Sequence, residues 1–140
     1  MKKINKDISI AATLEGDFYT LLEVFEITLE KIFTCSWQFV ADDSKLKSDR
    51  SAFPFNFLSN LLPEPLVIIN NNGNINCFSN VCTHRGNILI NEPCTIKKHI
   101  TCGYHGKQFD TCGKFKFMPK TQGMQNFPSP QDDLPEVAVA

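Results

Sequence analysis

Two short stretches restrict this chain more than anything else in it. Cys82-Thr83-His84-Arg85-Gly86 and Cys102-Gly103-Tyr104-His105-Gly106 each carry one thiol, one imidazole two or three residues later, and a glycine. Residues 85–101 lie between the first His and the second Cys. Two loops with the same set of donors imply that the loops face each other and share one site. Whatever fold the chain adopts must bring those loops together.

The rest of the sequence suits a small soluble scaffold for such a site. The chain has 140 residues, 42% hydrophobic and 21% charged, enough for one domain with a real core plus peripheral chain. Its net charge is −1 with no basic block, which argues against nucleic acid as a partner. No apolar run approaches the roughly 18 residues needed to cross a bilayer. The opening MKKINKDISIAATLEGD has an apolar stretch too short for a signal peptide. A cytoplasmic location is therefore expected. In a reducing compartment, six cysteines argue for metal ligation over disulfides.

Local patterns give the framework. Residues 1–16 read as an irregular arm. Residues 20–34 read as a helix, with Thr20 and Glu23 as a capping box and Leu22, Phe25, Leu29 and Ile32 as an apolar stripe that packs on a domain or, alternatively, binds a partner. SWQFVAD suggests the first strand, with Trp37 in the core. Pro54, Pro63 and Pro65 interrupt 43–64, an irregular connection with a short strand. PLVIINNNGNINCF is a hairpin with an Asn-Gly turn, TIKKHIT a strand, and KQFDTCGKFKF a hairpin turning near Gly113. After 118 the proline-rich chain reads as an extended exit segment. The expected division is an N-terminal arm and helix (1–36), a β domain (37–120) and an exit segment (121–140). Among the other thiols, Cys35 and Cys77 are expected in the core, and Cys94 and Cys112 in exposed turns. His99 is expected at a surface or edge.

Three readings of the paired loops compete. They can be unlinked turns. They can form a structural zinc site, which accepts two Cys and two His in a tetrahedron. They can hold a Rieske-type [2Fe–2S] cluster, in which two cysteines bind one iron and two histidines the other. Zinc fingers usually take both thiolates from one knuckle and both imidazoles from the other, whereas here the types alternate. Alternation suits the cluster, with each loop giving its Cys to one iron and its His to the other. Gly86 and Gly106 would let backbone N–H groups approach the sulfides. Arg85 would brace its loop through hydrogen bonds and a charge pair, or stand as a solvated surface arginine.

Cys-x-His-Arg-Gly followed by Cys-x-Tyr-His-Gly, within a hairpin-rich β domain, resembles the Rieske domain of ring-hydroxylating oxygenase α subunits. EVFEITLEKIFTCSWQFVADDSKL resembles the helix and strand before that domain, and NCFSNVCTHRGN and FDTCGKFKFMP its cluster loop and following hairpin. The resemblance spans roughly residues 14–135. It implies a mainly β fold with an N-terminal helix, built as an antiparallel β-sandwich of small stacked sheets. The cluster would sit on two hairpin loops at the tip. Cys82, His84, Cys102 and His105 match the metal-ligand positions, and Arg85, Gly86, Gly103, Tyr104, Gly106 and Lys107 surround them. Gly103 and Lys107 stand where the family usually has proline and tryptophan. Asn87 and Tyr104 stand where high-potential respiratory Rieske proteins carry disulfide cysteines.

The function the resemblance implies is one-electron transfer. A ferredoxin or flavin reductase would donate, and a mononuclear-iron oxygenase domain, absent from this sequence, would accept. A homo-oligomeric assembly is also implied. A stand-alone Rieske ferredoxin is the competing function.

Overall fold

The structure is a computed structural model describing residues 4–140. Residues 1–3 of the expected arm lie outside the described residues. The chain forms two compact units, Met1–Phe39 and Val40–Ala140.

The first unit holds one α-helix, α1 (Leu22–Lys31), between short 3-10 turns at Gly16–Tyr19 and Phe33–Cys35. The expected capping box does not form. Thr20 is taken up as the C-cap of the preceding 3-10 turn, its Oγ1 reaching back to the Gly16 carbonyl, so Leu21 becomes the N-cap without a side-chain hydrogen bond. The apolar stripe is not buried: Leu22, Phe25 and Ile32 are all exposed. Cys35 is likewise exposed, contrary to expectation. So is Trp37, at 72%. Residues 36–42 form no strand, contrary to expectation. Among the described residues no helix is long and apolar enough to cross a membrane.

The second unit is antiparallel β structure. A five-stranded sheet runs in the order β4 (Cys94–Thr95), β1 (Ser51–Phe57), β2 (Glu64–Asn71), β3 (Asn74–Ser79), β8 (Glu136–Val137). A three-stranded sheet runs β5 (Ile100–Thr101), β6 (Gln108–Phe109), β7 (Phe115–Phe117). The β2–β3 and β6–β7 hairpins fall where the Asn-Gly and Gly113 turns place them.

Three readings differ. β1 runs straight through Pro54, which pairs with Val67 on the β2 side. The β4 side is paired only at Ser51 and Ala52, so the proline faces no ladder it could break. TIKKHIT is split between the two sheets as parts of β4 and β5. Arg50 holds the bend, donating from Nε to the Ile96 carbonyl (2.7 Å) and from a terminal nitrogen to that of Lys98 (2.6 Å). The 121–140 stretch is more structured than expected: β8 pairs with β3 and Leu134 is buried in the core.

β2 is covered on both faces, as its burial pattern shows. Val67 and Ile69 face a core shared with Phe78, Ile100, Phe109 and the two loop cysteines, Cys82 and Cys102. Leu66, Ile68 and Cys77 face a smaller cluster with Phe55 and Phe57. Cys77 is buried as expected. Phe109 is fully buried, and alanine there is expected to cost about 3–5 kcal/mol by chemical denaturation.

Gly113 is required by two separate facts. Its φ is +73°, and a Cβ there would lie 2.7 Å from the buried ring of Phe78. Gly113→Ala is therefore expected to cost about 2–4 kcal/mol, strain and overpacking adding. A denaturation midpoint equal to wild type would show that the ring can yield.

Two carboxylates tie down the β6–β7 hairpin. Burial raises the Asp110 pKa, but the N–H groups of Lys114 and Cys112 and the Lys116 ammonium lower it more, leaving it below its ordinary value of 3.8. The Phe115 N–H (2.8 Å) does the same for Asp133. Groups with depressed folded-state pKa values contribute stability above their unfolded pKa and lose it as pH falls through the folded one. Asp133→Asn is thus expected to lower the melting temperature at pH 7. The gap from wild type should narrow below about pH 4, and a gap that persists there would contradict this.

Candidate metal centre

Both paired loops are hairpin tips. Val81 and Ile88 form an antiparallel bridge below the first, and β5 and β6 flank the second. The loops repeat one backbone pattern. Gly86 N–H donates to the Cys82 carbonyl and Gly106 N–H to that of Cys102, both at 3.0 Å. Cys82 N–H donates to Asn87 O and Cys102 N–H to Lys107 O, both at 2.8 Å. Closing each turn needs positive φ, 70° at Gly86 and 73° at Gly106, which is why glycine ends each motif.

Asn80 anchors the first loop. Its buried amide donates to the Ile90 carbonyl (2.7 Å) and accepts from the Ile90 N–H (3.0 Å). Sequence reasoning missed this residue and Arg50. Their partners lie 10 and 46 residues away, and an isolated Asn or Arg carries no local signal of that role.

The folded loops sort the four donors by type. Cys82 and Cys102 are both buried and lie in the same core cluster. The His84 and His105 rings lie 4.8 Å apart, near edge-to-face. Alternation along the chain thus becomes a thiol pair beneath an imidazole pair.

The electrostatics suit metal ligation. Burial pushes the Cys82 thiol up, partly offset by the His84 N–H and the charge of Lys107. Burial also opposes ionisation of Cys102, yet the N–H groups of Tyr104 and His105 hold it below its ordinary value. The thiolate is the form that binds metal. His84 is pushed down by burial and by His105, Arg85 and Lys107, which favours the neutral imidazole that ligates metal. The His105 Nδ1 is buried and makes no hydrogen bond. A buried acceptor left without a partner costs free energy, and a metal ion would satisfy it.

The surrounding residues divide. Tyr104 is exposed and packs on His105, ring centroids 3.8 Å apart. Gly103 is exposed, with nothing within 4 Å of where a Cβ would stand. Arg85 is exposed and makes no side-chain hydrogen bond or ion pair with the described residues, so it does not brace the loop as expected. Lys107, in the family's tryptophan position, points inward and is 1% exposed. Cys94 and Cys112 are exposed as expected, and His99 is half-buried between β4 and β5.

Paired thiols, paired imidazoles and twin hairpin tips on antiparallel sheets define a two-iron cluster-binding domain. Residues 36–128 match the Rieske [2Fe-2S] domain, and the chain belongs to that family. Its cofactor is accordingly a Rieske-type [2Fe–2S] cluster. The chain is 31% identical to the chlorobenzene dioxygenase subunit alpha of Cupriavidus sp. (strain PS12), over 78% of this chain and 24% of that protein. It is 33% identical to the carnitine monooxygenase oxygenase subunit of Acinetobacter baumannii, over 84% and 31%. The fold matches the quaternary ammonium Rieske monooxygenase CntA with a TM-score of 0.81 and 29% identity, covering 91% of this chain and 35% of that one. The chain thus spans about a quarter to a third of these relatives.

Proposed function

We propose that Cys82 and Cys102 hold one iron of the cluster and His84 and His105 the other. In this reading the chain is the electron-entry domain of a ring-hydroxylating-type oxygenase. It takes single electrons from a ferredoxin or flavin reductase and passes them to a mononuclear-iron oxygenase domain. The observation that carries the reading is the sorting of donors, the two thiols buried in one core cluster and the two imidazoles paired 4.8 Å apart. Bound there, the cluster supplies one-electron chemistry, at a potential of roughly −150 to +300 mV because neutral imidazoles replace two thiolates.

The residues divide the work. The cysteines sit in the core and exclude water from the sulfur side. Backbone N–H groups of His84, Tyr104 and His105 point at the two sulfurs and stabilise their negative charge. His84 is exposed, so its imidazole is the shortest route between the site and a docked partner. The oxygenase relatives support this reading over a separate Rieske ferredoxin. A quaternary ammonium Rieske monooxygenase of 30% identity is described with inter-subunit electron transfer, and the same route here would require a homo-oligomer.

A reductive titration of the cluster-loaded chain tests the function. It should take up one electron per two irons, with a midpoint inside the Rieske range. Uptake of no electron, or a midpoint near the roughly −400 mV of four-thiolate plant-type ferredoxins, would count against it.

A further inference from the structure

The Lys107 ammonium is buried directly behind the paired loops. Its Nζ donates to Thr83 Oγ1 (2.8 Å) and to Asp132 Oδ1 (2.9 Å), and lies 5.5 and 5.4 Å from the ring centroids of Phe109 and Phe115. Thr83, between Cys82 and His84, donates in turn to the Asp132 carbonyl (2.9 Å). The Lys107 carbonyl accepts the Cys102 N–H (2.8 Å). One residue thus touches both loops and the 3-10 turn Pro130–Asp132. Asp132 is committed as well, accepting from the Ser129 N–H and hydroxyl.

A lysine is rarely this buried, and here the ammonium sits between a single carboxylate and two aromatic faces, where solvent screens it little. We infer that Lys107 is a positioning residue. It staples the two ligand loops together through Thr83, and its fixed positive charge raises the reduction potential of the site, with Asp132 as counter-charge. The charge lies against both loops, since Nζ is held by Thr83 between Cys82 and His84 and the Lys107 backbone is bonded to Cys102. Reduction adds one negative charge to the site, so a nearby cation favours the reduced form and a nearby anion disfavours it.

The inference rests on the ligand assignment proposed above, and the test separates the two. The chain is loaded with cluster as wild type, Lys107→Met, Asp132→Asn and the double variant, and each midpoint potential is measured by spectroelectrochemistry. Lys107→Met is expected to lower the reduction equilibrium constant about tenfold, or about 59 mV for one electron. Asp132→Asn is expected to raise the potential. Where Lys107→Met alone cannot hold cluster, the double variant should lie below Asp132→Asn by a similar step, since those two differ only in the ammonium. Equal potentials within either pair, with the cluster spectrum intact, overturn the inference. A wild-type chain that shows no Rieske spectrum overturns the ligand assignment itself, and the inference with it.

Discussion

Alanine at His84 or at His105 is expected to abolish the Rieske spectrum, and loss of a single imidazole should suffice. The rings lie 4.8 Å apart at the tips of separate hairpins, so neither can serve in place of the other. His99, the third histidine in the chain, sits half-buried between β4 and β5 rather than on either loop. The fold should survive both substitutions, because His84 is exposed and His105 half-buried while the cysteines beneath them carry the packing. Circular dichroism should therefore stay near that of the wild-type apoprotein while the visible spectrum is lost. Cysteine at either position is a sharper variant. A third thiolate replaces a neutral ligand and adds negative charge, so any cluster that forms should be harder to reduce. An intact Rieske spectrum in either alanine variant would remove that histidine from the ligand set.

A second large effect concerns stoichiometry. This 140-residue chain should bind two irons, both matched by sulfide, and should not oxygenate a substrate. A mononuclear oxygenase site takes two histidines and a carboxylate with open positions. The chain has three histidines, and the cluster commits His84 and His105. His99 alone cannot supply a second site of that kind. Oxygen should reoxidise the reduced chain without hydroxylating an added aromatic or quaternary ammonium compound. A third iron without matching sulfide, or product formed in step with oxygen uptake, would require a catalytic site elsewhere in these residues.

The features legible in the sequence were those set by short-range chemistry. The Asn-Gly turn, the turn at Gly113 and the two glycine-ended loops all depend on a few adjacent residues, and all stand where their patterns place them. What escaped depends on neighbours far along the chain. Pro54 reads as a break, and only the open β4 side of β1 makes it harmless. SWQFVAD breaks the helical pattern and reads as a strand, yet it forms none and Trp37 and Phe39 are exposed. The proline-rich tail reads as an exit, yet β8 and Asp132 belong to the β unit. Within the site, the four donors and their glycines could be picked out by type and spacing. Asn80, Arg50 and Asp132 could not, because each acts through a partner beyond its own turn or strand. Lys107 stood out as a departure from the family motif. Its inward direction was set by Thr83 and Asp132, 24 and 25 residues away.

The central claim is that two imidazoles ligate one iron and two thiolates the other. Pulsed electron paramagnetic resonance on the reduced chain reads this directly, since an unpaired electron on a histidine-bound iron couples to the ligating nitrogens. The reduced chain should give a Rieske-type signal with two strongly coupled nitrogens, one of them lost with each histidine substitution wherever residual cluster can be measured. A signal without strongly coupled nitrogen would mean four thiolates, and no signal from a metal-loaded, reduced chain would mean zinc. Either result would contradict the central claim.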